Sequence, residues 1–416
     1  MRVLLINHFP LDGSGSGTYI KNIAQQLIKL GHEACIIMPE NIEVKSKGIR
    51  LHPVYFTGEE KIKGALDFNF PCFTTHPRSD TTFDMLSEKE LKEYIAAFDD
   101  ALKEEIEKFK PDIIHAQHIW ILSFLAVKYN VPCVITSHGT DLMGYDNWPQ
   151  FREYADIAAN RCKMVISISK DNDDYTKKIF PVVKDKTVLL KNGYNDLIFY
   201  PQNFDKNEIM NKYGIKYDGE QIVLFAGKLT GFKGVDTLLF AAKQYEQNPE
   251  NKLITLIAGS GKDGKKLREL AAELQLKKTH FLGNRSQEQL AELYNIADVF
   301  AMPSRREPFG LVALESMACG TAVVATNQGG LPDFVNEQVG HLININDADA
   351  LCSAILEEIS AEKFDPKRRE YIAKYAKENY SQSVVISELI DIYESLIKEN
   401  VTNEKIRNNS DILVKA

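Results

Sequence analysis

Two doubly wound α/β halves are the architecture this sequence predicts, and three observations predict it. Short continuous apolar runs recur along the chain and end in glycine turns, as buried parallel strands do. Helical periods alternate with them, which is the mark of β-loop-α-β units. The pattern also breaks once, at the polar, proline-containing stretch Asp196 to Asn207, and then starts afresh. A chain of 416 residues exceeds one ordinary core and suits two.

In chain order, Arg2 to Asn7 reads as a buried strand, followed by a glycine loop and a helix over Thr18 to Leu30 that stops at Gly31. Glu33 to Met38 is the next strand. Lys110 to His115, with Pro111 at its entrance, Val131 to Ser137 and Met164 to Ser169 continue the first set. Gln221 to Gly227 opens the second set, followed by Leu253 to Ala258 and its Gly259-Ser260-Gly261 turn. His280 to Gly283, Val299 to Met302 and Ala322 to Ala325 complete it. These limits give a first Rossmann-like domain over 1–195, a linker over 196–215 and a second domain over 216–382. An amphipathic helix follows over 383–400, and a polar, frayed tail over 401–416.

Composition narrows the function classes. The chain is 44% apolar and 26% charged, ordinary for a globular protein. A formal charge of −8 argues against nucleic acid, which calls for a basic excess. The N-terminal half is close to charge-balanced, so the overall charge carries no strong membrane signal. The opening apolar run is too short for a signal peptide, and no stretch approaches a transmembrane length. Cys35, Cys72, Cys133, Cys162, Cys319 and Cys352 lack metal-ligand spacing and read as reduced core thiols of a cytoplasmic protein.

The most informative segment is Glu307-Pro308-Phe309-Gly310-Leu311-Val312-Ala313-Leu314-Glu315. It sets two carboxylates at the two ends of a loop-to-helix transition. A helix N-terminus offers unpaired N–H groups and partial positive charge, which suit hydroxyl-rich or phosphorylated ligands. Gly320 stops the helix. Three further segments follow predicted strands: Gly13-Ser14-Gly15-Ser16-Gly17, Ser137-His138-Gly139-Thr140-Asp141, and Gly227-Lys228-Leu229 with Lys233-Gly234. Ligands of open α/β sheets bind beyond the C-terminal strand ends, so the four segments read as one site.

Together, in this order and spacing, the four segments resemble the retaining glycosyltransferases of the GT-B fold, family GT4, over about Met1 to Tyr380. The first is similar to the family's E-x7-E donor motif in its EPFGLV form. Lys228 departs from the arginine many members carry; it keeps the charge and loses the bidentate fork. The resemblance implies two Rossmann-like domains facing each other across a cleft, with the C-terminal helix crossing back to the first. It implies a nucleotide-sugar donor, of UDP type, and transfer of a hexosyl group of glucose or N-acetylglucosamine type. The acceptor implied is a hydroxyl of a small polar or lipid-linked molecule.

By the same resemblance, Lys228 and Lys233 stabilise the leaving diphosphate, Glu307 binds sugar hydroxyls with the N–H groups of Phe309 and Gly310, and Leu311 follows in the donor loop. Glu315 takes the ribose. Gly15, Ser16 and Gly17 approach phosphate, Asn284 and Arg285 lie near the base, and His138 contacts the transferred sugar. Asp141 orients His138, contacts a sugar or caps a helix. Acceptor candidates are His76, Arg78, His118, Trp120 and Asp141, with His76 and Arg78 suited to a carboxylate or phosphate and Trp120 to a sugar face. No D-x-D motif ends a predicted strand, and Asp99-Asp100 and Asp173-Asp174 fall in helical surroundings. The implied reaction uses no metal and no cofactor. A UDP-sugar 2-epimerase and a catalytically silent nucleotide-sugar-binding scaffold stand beside it. The complete EPFGLV segment and lysine pair argue against the first, and intact His138, Lys233 and Glu307 against the second.

Overall fold

The computed structural model describes residues 1–45, 48–58, 61–74, 76–360 and 365–413, with side chains through residue 402. The chain forms two compact units, Met1–Lys191 with Ile386–Ala416, and Asn192–Val385. The stretch 196–215, expected as a linker, therefore belongs to the second unit, and Lys206–Lys212 within it is helical. Its Lys206 Nζ lies 2.7 Å from Asp298, which ties that helix down.

In the first unit the strands are β1 (Arg2–Ile6), β2 (Glu33–Glu40), β3 (Arg50–Tyr55), β4 (Ile113–Gln117), β5 (Cys133–Ser137), β6 (Met164–Ser167) and β7 (Thr187–Leu189). They form one parallel sheet in the order β3-β2-β1-β4-β5-β6-β7. The order reverses between β1 and β4. The loops after those two strands leave in opposite directions there, which opens a crevice at their C-terminal ends. The central strands are buried throughout β4 and β5, as continuous apolar runs require.

The second unit holds β8 (Gln221–Ala226), β9 (Leu253–Ala258), β10 (Thr279–Gly283), β11 (Val299–Met302), β12 (Ala322–Thr326) and β13 (Gly340–Ile343), parallel, in the order β10-β9-β8-β11-β12-β13. Its switch point lies between β8 and β11.

Three strands escaped sequence reading: β3, β7 and β13. All three are edge strands. β3 carries Pro53 and only one buried residue, β7 is three residues long, and β13 is buried at its two ends but not at His341 and Leu342 between them. A half-covered edge needs no long apolar run and tolerates proline. The final helix runs Gln382–Leu413, further than the expected frayed tail. From Ile386 it belongs to the first unit, where the Tyr393 hydroxyl lies 2.6 Å from His115 Nδ1.

Candidate active site

In the second unit the loops after β8 and β11 lock together. Lys233 ends a single 3-10 turn, Gly231–Lys233, and Gly234 follows with φ +65°. A Cβ at Gly234 would come within 1.9 Å of the Pro303 carbonyl oxygen, so only glycine lets the lysine loop close on the end of β11. Arg305 fastens the same loop. Its guanidinium grips Asp236 with two bonds of 2.8 Å and donates to the Gly231 carbonyl at 2.7 Å. Its own N–H bonds Phe232 O at 2.7 Å.

The result of that docking is an ion pair. Lys233 Nζ lies 2.5 Å from Glu307 Oε2, and Ser304 Oγ donates to the same oxygen at 3.4 Å. Glu307 is buried, while the Lys233 side chain remains 24% exposed. Behind Glu307, Gly329 has φ +57° and its missing Cβ would sit 1.8 Å from the Glu307 carbonyl oxygen. Lys228 is exposed, one residue beyond Gly227, the glycine that follows β8.

Gly310 adopts φ +106° and starts the helix Leu311–Ala318. The Phe309 side chain is buried, its ring 5.6 Å from that of Phe334, so Phe309 offers a ligand its backbone alone. Glu315 lies in the helix and is buried, accepting from the Tyr294 hydroxyl at 3.2 Å. Burial pushes its pKa up to about 8, against the smaller lowering effect of that bond. Asn284 is exposed after β10. Arg285 folds back onto its own loop, donating to Leu282 O and covering the Tyr213 ring at 5.3 Å.

The first unit gathers different chemistry at its sheet edge. Ser14 caps the helix Gly15–Lys29 by accepting from Gly17 N at 3.0 Å. Gly17 is required for contact rather than for phosphate approach, since its Cβ would meet Pro10 O at 2.0 Å. The Gly15 and Ser16 N–H groups are those left without intrahelical acceptors. His138 follows β5 directly and is buried. Its Nε2 lies 2.8 Å from Gln117 Oε1 at the end of β4. Burial and the neighbouring His118 hold His138 down to about 3, against the opposing pull of Asp141. Asp141 is also buried and accepts from Ile119 N at 2.9 Å and His138 N at 3.2 Å. Of its three expected roles, orientation of the His138 backbone is the one its contacts match.

Three acceptor candidates have other employment. His76 is buried and braces the glycine loop, its Nε2 3.0 Å from Asp12 O and 2.6 Å from where a Gly13 Cβ would stand. Arg78 binds Glu40 at 2.6 Å and Asn41 at 3.2 Å. Trp120 is 0% exposed, packed on Phe73 and Phe151 with ring centroids 5.4 Å away, and has no face for a sugar. His118 is buried, between the Phe73 and His138 rings at 4.8 and 4.9 Å, with φ +72°.

Sequence reading missed Gln117, Tyr294, Ser304 and Arg305. Arg305 and Ser304 sit within three residues of Glu307, and Gln117 within the stretch His115 to Trp120, so adjacency to a motif was the available signal. Among the described residues the group with metal-ligand spacing is His52, Glu104 and Glu105, at the β3 edge. Arg50 and His52 each reach Glu105 at 2.8 Å. Among the described residues no helix is long and apolar enough to cross a membrane.

Comparison with known proteins agrees with this geometry. Residues 13–196 match the model of Glycosyltransferase Family 4, and residues 205–379 that of Glycosyl transferases group 1. A D-inositol 3-phosphate glycosyltransferase of Corynebacterium urealyticum is 29% identical over 95% of this chain and 96% of its own. Sucrose-phosphate synthase from Thermosynechococcus elongatus superposes with a TM-score of 0.75 at 22% identity, covering 96% of this chain and 100% of that one. HepE of Anabaena, solved in complex with UDP-glucose, gives 0.72 at 18% identity, covering 95% and 100%. Two Rossmann sheets with these strand-end loops define a GT-B enzyme. The chain belongs to the GT4 glycosyltransferases.

Proposed function

We propose that this enzyme transfers a hexosyl group from a UDP-sugar to a hydroxyl of a small polar acceptor, with retention and without a metal. The Lys233–Glu307 pair carries this reading. It places a cation and a carboxylate together, half-buried, beside glycine backbone and a helix N-terminus. Lys233 and the exposed Lys228 supply positive charge where a diphosphate departs, and electrostatic stabilisation of that kind is the largest usual catalytic term. Glu307 accepts from sugar hydroxyls. Glu315 accepts from the ribose, and the base lies near Asn284 and Arg285.

His138 supports a same-face mechanism by what it does not do. An imidazole held down to about 3 is neutral at physiological pH and too weak a base to take the proton of the incoming hydroxyl. The incoming hydroxyl then loses its proton to the departing phosphate oxygen as the new glycosidic bond forms and the sugar–phosphate bond breaks. The named activity of the corynebacterial relative favours a phosphorylated polyol as the acceptor class. A test is calorimetry with UDP, GDP, ADP and their sugars, with and without EDTA, followed by product NMR. UDP-selective, EDTA-insensitive binding and a product keeping the donor's anomeric configuration are expected. Binding that vanishes with EDTA, or an inverted product, would overturn the proposal.

A further inference from the structure

Gln117 is the last residue of β4, and it is fully buried. Its Oε1 meets His138 Nε2 at 2.8 Å across the pairing of β4 with β5. An amide oxygen can only accept, so this contact requires the hydrogen on Nε2 and leaves a lone pair on Nδ1. His138 Nδ1 has no hydrogen-bond partner among the described residues. The other end of the amide, Gln117 Nε2, is buried and also unpartnered. Such a group carries a cost, and a purely structural position would not retain it without a reason.

We infer that Gln117 is a positioning residue that fixes His138 as the Nε2–H tautomer, so that Nδ1 accepts a hydroxyl of the transferred sugar, on the reading of His138 as a sugar contact. The surroundings keep the ring neutral, which makes the tautomer decisive. His115 in β4 and His118 just after it face the ring, Tyr19 lies edge-on at 5.4 Å from the first helix, and Asp141 comes from the following helix. Asp141 already accepts from two backbone N–H groups, so its carboxylate only partly offsets the burial. A charged imidazole would offer two donors and no acceptor; a neutral one with Nδ1–H would point a donor where the hydroxyl must donate.

The test uses the full-length chain labelled with 15N-histidine, with the His138 signals assigned by their loss in His138→Gln. Long-range 1H–15N correlation is expected to show a protonated Nε2 and an unprotonated Nδ1. Gln117→Leu is expected to mix the two tautomers and lower kcat about tenfold, the effect of one lost hydrogen bond, with UDP affinity unchanged. Gln117→Glu keeps an acceptor in place and is expected to retain the tautomer while adding loss of activity toward acid pH, since a carboxylate there favours the imidazolium. A protonated Nδ1 in the wild type overturns the inference, as does full kcat in Gln117→Leu. Failure of the wild type to bind any UDP-sugar overturns the transferase reading instead and leaves the tautomer result standing.

Discussion

The edge of the first sheet and the edge of the second solve different problems with different residues. At the first, His8, His115, His118 and His138 are buried, and burial lowers all four imidazoles well below their usual range. The side chains bonded to His8, His115 and His138 are neutral, namely Tyr94, Tyr393 with Thr136, and Gln117, while both ring nitrogens of His118 are buried without a partner. At the second, the contacts are ionic and the backbone is glycine-rich, with Lys233 against Glu307 and Arg305 against Asp236. Neutral hydrogen-bonding groups read hydroxyls without adding charge to a dry site. A diphosphate demands cations and close backbone N–H groups. On the proposed reading, the neutral groups of the first edge meet the transferred sugar, and the second edge meets the diphosphate with its lysines and the sugar with Glu307.

Lys233 is where breaking that contrast costs most. Lys233→Ala removes the cation and leaves a buried carboxylate unpaired, and kcat at saturating donor is expected to fall by about 10²–10³-fold. Glu307→Gln is expected to fall comparably with its melting temperature little changed. Near-normal rates in either, measured by UDP release, contradict the assignment. Arg305→Lys comes next. Lysine keeps a charge but not the fork onto Asp236, so the lysine loop loosens. The donor KM is expected to rise about tenfold in steady-state kinetics.

Glu315 gives a pH test. Its folded pKa is raised from 4.5 to about 8, so the folded chain binds the proton more tightly than the unfolded one. That stabilising contribution is whole below the unfolded pKa and is lost as pH rises to about 8. The apo enzyme is therefore expected to lose stability between pH 5 and 8. Glu315→Gln should flatten the slope and be more stable at pH 8 by at least about 1 kcal/mol, read by calorimetric melting. A wild-type slope of the opposite sign contradicts the burial argument.

The smallest effect on turnover is expected at Arg78. Arg78→Ala strands Glu40, a carboxylate 2% exposed, and should destabilise the fold by about 2–3 kcal/mol while leaving kcat within about twofold. A large loss of turnover without loss of stability would return Arg78 to the acceptor site.

These variants also mark where the sequence was readable. Both sheets' central strands were legible because burial on both faces forces unbroken apolar runs, and the motif loops because each follows such a strand. Edge strands were not, for the reasons of exposure seen in β3, β7 and β13. In the site, Glu307, Glu315, Lys233 and His138 were named from spacing and resemblance. Arg305, Gln117 and Tyr294 were not, because they act through a neighbour distant in sequence: Asp236 is 69 residues from Arg305, and Glu315 is 21 from Tyr294. The acceptor candidates Arg78 and Trp120 show the converse. An arginine in a proline- and threonine-rich loop and a tryptophan just past a strand end look like ligands until the buried Glu40 and the ring cluster account for them.

Calorimetric binding of UDP to the wild type, Lys233→Ala and His138→Asn tests the division between the two edges most directly. The account predicts that Lys233→Ala weakens UDP by at least about tenfold and that His138→Asn leaves UDP unaffected while weakening the intact UDP-sugar. Equal UDP affinity in all three proteins, or a loss confined to His138→Asn, would contradict it.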